Sequence, residues 1–132
     1  MSKSLEKNLW ASAYKALRYL VELHITRIEN AVGSGTPDVE GCLNGVQFWW
    51  ELKVGSVDKK GNVKVSFRPT QIPWLKRRCS VGGKAFAIIK IGRKKFCLPG
   101  PALSMFQSGD PVSLDQVRDA SICAGDASWA DI

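Results

Sequence analysis

The stretch "GTPDVEGCLNGVQFWWELK", residues 35–53, decides how the chain folds. At its centre stands Asn44-Gly45, a pair that tolerates the positive φ of a type I′ turn, flanked by strand-forming runs at 38–43 and 46–54. The stretch therefore reads as a β-hairpin. Strand side chains alternate, so Val46, Phe48, Trp50, Leu52 and Val54 face one way while Gln47, Trp49, Glu51 and Lys53 face the other. The apolar set is a core face. Glu51 and Lys53 share the opposite face, and closing the hairpin at Asn44-Gly45 brings Asp38, near the far end of the first strand, roughly opposite Glu51.

Outward from the hairpin, residues 4–22 place Leu5, Leu9, Ala13, Leu17 and Leu20/Val21 at helical spacing, with Ser4 as N-cap. Residues 24–31 read as a short strand running into a Gly- and Pro-containing turn. Downstream, 55–68 is a polar excursion with a strand-like piece at 63–67. A helix over 70–81 follows, capped by Thr70, with Pro73 in its first turn where no intrahelical amide is lost. Strands at 84–92 and 94–100 meet at Gly92-Arg93, and short helices are expected at 103–107 and 114–120. The order helix, three strands, helix, two strands predicts an α/β fold: a mixed sheet, an antiparallel meander plus further strands, flanked by helices.

A chain of 132 residues with 45% hydrophobic content is one globular domain, with 101–132 an extension of the body at 1–100. No apolar run reaches the roughly 18 residues of a membrane span, and the polar N-terminus does not read as a signal peptide, so a cytoplasmic protein is expected. No helix combines a basic face with a strongly apolar one, which argues against a membrane partner. The four cysteines are scattered and there is one His, which argues against structural zinc for want of paired ligands and favours reduced, mostly buried thiols. Residues 1–100 carry 18 Lys and Arg against 7 Asp and Glu, whereas 101–132 carry one Arg against five Asp. The basic body points to a polyanion, because cations that neutralise phosphates release counterions from nucleic acid. The acidic residues Asp110, Asp115, Asp119, Asp126 and Asp131 are candidates to cover that surface.

Two carboxylates on neighbouring strands beside a lysine suit a hard divalent cation such as Mg²⁺, with Mn²⁺ able to substitute. Asp38 and Glu51 would be the ligands, with the Leu52 backbone carbonyl as one more oxygen. A cation there polarises a phosphodiester and acidifies a bound water, and Lys53 can orient that water or stabilise the phosphorane.

Pro37-Asp38, then twelve residues, then Glu51-Leu52-Lys53 resembles the PD-(D/E)XK nuclease superfamily. "RIENAVGSGTPDV", "FWWELK", "FRPTQIPWLKR" and "GGKAFAIIKIG" look like its small phage and bacterial VRR-NUC and Holliday-junction-resolvase-like branches. The resemblance covers about residues 4–98 and implies a restriction-endonuclease-like core and metal-dependent cleavage of DNA. It also implies a site Gln on the second helix, by position Gln71, and a first-helix Glu in the metal shell: Glu6, before Glu22 or Glu29. The expected activity is that of a Mg²⁺-dependent DNA endonuclease selective for branched or double-stranded DNA and acting as a homodimer. A nicking or flap nuclease of the same fold, or a non-catalytic DNA-binding module, are the alternatives. Lys59, Lys60, Lys64 and Arg68 after the hairpin, and Lys76, Arg77 and Arg78 on the second helix, are placed to grip phosphates. For the hairpin charges the competing account is a cross-strand ion pair on a solvated sheet face, worth about 1 kcal/mol at most; for each basic residue it is a solvated surface charge.

Overall fold

The computed structural model describes residues 2–28 and 35–122. Helix α1 spans Ser2–Leu17, beginning before the expected Ser4 cap. Leu9, Ala13 and Leu17, four residues apart, form its buried stripe. The helix stops five residues short of the expectation. There the Leu20 amide bonds to the Leu17 carbonyl in a tighter turn, and the side chains of Tyr19 and Val21 stand in solvent. Strand β1 (Leu23–Arg27) follows, then β2 (Val39–Leu43) and β3 (Val46–Val57). The strand expected over 24–31 ends at Arg27, one residue before the described stretch does; residues 29–31, Glu29 among them, lie outside the described residues, as do Cys123, Asp126 and Asp131.

Asn44 and Gly45 both adopt positive φ, 50° and 85°, and the hairpin closes with Leu43 opposite Val46 and Val39 opposite Trp50. Gly41 faces Phe48 across the pair, and the Phe48 ring occupies the space a Cβ on residue 41 would need, with a ring carbon 2.2 Å from that position. Residues 55–57, expected in a loop, instead prolong β3 and pair with a two-residue β4 (Val63–Lys64). The Asp58 carboxylate organises this turn by accepting from the amides of Lys60 and Asn62 at 2.9 Å each.

Helix α2 (Gln71–Ser80) carries the chain across to β5 (Ala85–Ile91), parallel to β3, and β6 (Lys94–Pro99) returns antiparallel. The sheet order is β1-β2-β3-β5-β6, with β4 paired to β3 beside this path. Thr70 precedes α2 as expected, but its side chain makes no capping bond; its carbonyl accepts from Trp74. The first of the two expected C-terminal helices is a 3-10 helix, Gly100–Phe106, and the second is α3, Leu114–Ala120, capped reciprocally by Ser113 and Gln116.

Both sheet faces are covered. Phe48, Trp50 and Leu52 of β3 pack with Ile88 and Cys97 beneath α1, as the alternation requires. On the other face Ala85, Ala87, Ile89, Phe96 and Leu98 pack with Ile72 and Leu75 of α2, Leu103 of the 3-10 helix and Val117 of α3. The extension thus completes a three-layer α/β/α arrangement. Among the described residues no helix is long and apolar enough to cross a membrane.

Gly41→Ala tests the hairpin's packing. The new methyl group must displace the Phe48 ring, so a loss of about 1–3 kcal/mol is expected in denaturant melts. Phe48→Leu in the same background should recover part of it; an unchanged midpoint would mean that the ring moves aside freely.

Candidate active site

One step beyond the Val39–Trp50 pair, the hairpin register sets Asp38 opposite Glu51. Asp38 is fixed from both sides. Its backbone carbonyl accepts from the Ile28 amide at 2.6 Å, and its Oδ2 accepts from the Leu52 amide at 3.0 Å. The side chain therefore takes over the ladder where β2 ends. In a strand the N–H and C=O of one residue point to the same edge, so the Leu52 carbonyl also faces the Asp38 edge. The residue that the register brings there is Pro37, which has no N–H to donate.

Glu51 and Lys53 are not on a solvated face. They are 2% and 6% exposed, and the apolar layer of α2 and the extension covers their side of the sheet. Gln71, 2% exposed, donates from Nε2 to Glu51 Oε2 at 3.2 Å. Its own Oε1 accepts from the Arg68 amide at 2.8 Å, which fixes which end of the carboxamide meets Glu51. The Lys53 ammonium lies 3.9 Å from Glu51 Oε2 and 5.2 Å from the centroid of the Phe67 ring. The structure thus brings Asp38, Glu51, Lys53 and Gln71 into one cluster.

Glu51 Oε1 is buried without a hydrogen-bond partner. Burial, then the neighbouring Asp38 carboxyl, push the Glu51 carboxyl up to about 9; Lys53 pulls against this and Glu6 adds to it. Two carboxyl groups face each other with no protein donor between them. Such a pair retains a proton or takes a cation. Among the described residues no three His, Cys, Asp or Glu side chains gather into a metal cage. The oxygens that could hold a cation are those of Asp38, Glu51 and the Leu52 carbonyl; Glu6, half-buried on α1, acts on Glu51 through its charge. Two carboxylates and a carbonyl are the hard oxygen donors that suit a cation of the Mg²⁺ type.

The expected basic residues divide. Lys59, Lys60, Arg68 and Arg77 are exposed. Lys64 sits 3.9 Å from Asp58 and Lys76 donates to Gln107 at 3.1 Å. Arg78 is held over two indoles, 4.7 Å from the Trp74 centroid and 5.3 Å from that of Trp49, and those rings meet edge-on at 5.3 Å. Gly83 leaves room for its side chain: a Cβ there would lie 2.5 Å from Arg78 Cδ. The Trp49 indole N–H is buried without a partner, and nothing in the structure explains it. Sequence reasoning missed Phe67 beside Lys53 and the Arg68 amide that orients Gln71; both depend on how 65–70 crosses the sheet, which has no signature in local sequence.

No protein-family model and no curated protein matches the chain. Among solved structures the fold is similar to that of Hjc, a Holliday junction resolvase from the archaeal hyperthermophile Archaeoglobus fulgidus, with a TM-score of 0.54 and 16% identity over 87% of this chain and 90% of that one. I-Ssp6803I, a bacterial homing endonuclease, matches at a TM-score of 0.48 and 17% identity, covering 83% of this chain and 72% of that one.

The raised Glu51 carboxyl gives stability a defined sign. Between about pH 4.5 and 9 the unfolded chain has released a proton that the folded chain keeps, so in EDTA stability should fall as pH rises, by up to about 1.4 kcal/mol per pH unit. Glu51→Gln should flatten that slope in melts across pH 5–9. A wild-type slope equal to that of the variant would show that Glu51 is ionised in the folded protein.

Proposed function

We propose that this protein is a Mg²⁺-dependent DNA endonuclease of the PD-(D/E)XK type. The observation that carries the reading is the bare, buried Glu51 Oε1 beside Asp38, with Lys53 and Gln71 on the same carboxylate. When bound by Asp38, Glu51 and the Leu52 carbonyl, the cation supplies charge neutralisation at a phosphodiester and acidification of water. Lys53, half-held by Glu51 and by the Phe67 face, keeps an ammonium beside the carboxylate pair, where it orients the attacking water or stabilises charge on the phosphorane oxygens. Gln71, pinned through Arg68, holds Glu51 in one orientation, so that a buried ligand need not reorganise during reaction.

The finer reading is a structure-selective enzyme resembling the small resolvase-like and VRR-NUC nucleases and acting on branched DNA. Its support is the Hjc-like fold together with the absence, among the described residues, of any element outside the three layers that could read bases. Cutting two opposed strands requires two sites related by a two-fold axis, hence a homodimer.

A labelled four-way junction assayed beside matched duplex, flap and single strand, in Mg²⁺ or EDTA, tests both levels. Symmetric, Mg²⁺-dependent cuts on the junction are expected, and Asp38→Asn should slow them by at least about 10²–10³-fold, the scale of losing one preorganised charge-stabilising group. Cuts confined to flap or duplex would refute junction selectivity, and binding without any cleavage would leave a DNA-binding module.

The basic residues should separate by role. Arg77→Ala should lower the slope of log affinity against log salt by about 0.9 for each phosphate that the arginine neutralises. Arg78→Ala should chiefly lower the melting temperature, because it removes a stacked guanidinium rather than an exposed charge. Equal salt effects from the two would overturn the division.

A further inference from the structure

The extension does more than cover α2. Its segment 106–112 and the segment 62–67 leaving β4 form the two walls of a cleft of about 690 Å³. The walls are tied at one end, where the Val63 amide bonds to the Val112 carbonyl and the Leu114 amide to the Gly61 carbonyl, and they meet again at the other through Phe67 and Phe106. Val54, on the opposite sheet face from Lys53, is also in its lining. At the inner end stand Phe67 and Phe106, half-buried, with ring centroids 5.7 Å apart; the Lys53 ammonium rests over the Phe67 ring. The cleft therefore begins where the proposed active site ends.

Its chemistry narrows the occupant. A volume of this size takes a single small group and not a duplex. The lining carries one cation, Lys64, which sits near Asp58, and one carboxylate, Asp110, so the cleft is no phosphate track. It offers two aromatic rings for stacking, with Asn62, Ser66 and Asp110 as polar groups at the rim. That combination suits an uncharged, planar, hydrogen-bonding ring on a strand whose phosphates lie elsewhere, toward Lys53 and Arg68.

We infer that this cleft receives one unpaired nucleobase adjacent to the phosphate being cut. The inference rests on the nuclease reading and sharpens it: the substrate is DNA with an unstacked nucleotide beside the cut, as at a branch point or frayed end. Extracting a paired base has a cost that an already unpaired base escapes, so one aromatic subsite discriminates between them.

The test uses a duplex carrying a single unpaired 5-iodo-2′-deoxyuridine, with a fully paired duplex as control, and has two readouts. In EDTA, photo-crosslinking followed by peptide mapping reports where the base sits, independently of cleavage. In Mg²⁺, relative cleavage reports preference. The expected crosslinks fall on Phe67 or Phe106, and wild type should favour the unpaired substrate about tenfold, the scale of one base–aromatic stack. Phe106→Leu, which keeps apolar bulk without a π face, and Ser66→Leu, which fills the exposed rim without adding one, should abolish both crosslink and preference while cleavage of paired duplex persists. Crosslinks mapping outside 62–67 and 106–112, or a preference that Ser66→Leu leaves unchanged, would overturn the cleft. Cleft crosslinks without cleavage of either DNA would uphold the cleft and overturn the nuclease.

Discussion

Two carboxyl groups forced together inside a sheet are the constraint around which this molecule is arranged. The β2–β3 register leaves Asp38 no choice of neighbour, and alternation along β3 turns Glu51 toward it. In water the two would separate or stay solvated; here the Leu52 amide holds one and Gln71 the other. Burying an ionised carboxylate costs several kcal/mol unless it is compensated, and Lys53 at 3.9 Å compensates only in part. The folded chain answers by keeping a proton on the pair. With that proton in place the carboxyl pair and the Lys53 ammonium balance in charge, so a cation would enter by displacing the proton.

That arrangement has to be held by packing from elsewhere. Glu51 lies at the margin of an apolar layer built from β5, β6, α2 and the extension, a layer large enough to offset one unfavourable carboxyl. On the opposite face the α1 layer holds Leu52, the residue between Glu51 and Lys53, fully buried. Because Leu52 cannot rotate outward, its flanking side chains cannot rotate inward. The β3 backbone is clamped between two cores, and the clamp sets the side-chain directions of the site.

The parts legible in sequence were those fixed by short-range rules. The Asn44-Gly45 turn sets register, register sets faces, and faces bring Asp38, Glu51 and Lys53 together; each step needs only the alternation of a strand and the φ preferences of two residues. Ends of elements were less legible. Helix α1 stops at Leu17 although no helix-breaking residue stands there, and β3 runs on to Val57 because Asp58 and β4 give it a partner that composition alone reads as loop. The fate of the positive charges could not be read at all. Arg77 and Arg78 are adjacent and chemically identical, yet one is exposed and the other stacked on two indoles, because 100° of rotation per residue separates solvent from the Trp49–Trp74 surface.

The same rotation explains a division of labour in α2. Gln71 and Leu75, four residues apart, lie on the buried stripe, with the carboxamide of Gln71 reaching Glu51 and Leu75 sealed against the extension, where the Gly100 backbone approaches so closely that a Cβ would lie 2.6 Å from the Leu75 carbonyl oxygen. Trp74 and Arg78, also four apart, form the next stripe and pack on Trp49, two residues before Glu51 on the same sheet face. One stripe orients the carboxylate and the other walls the sheet face beside it. With Pro73 and Arg77 exposed on the opposite side, α2 is at once a structural layer, a support for the site and a cationic outer surface. It can be all three only because the extension covers Leu75 and leaves Arg77 uncovered. Residues 100–122 are therefore part of the unit that builds the site, although the motif that marks the site ends well before them.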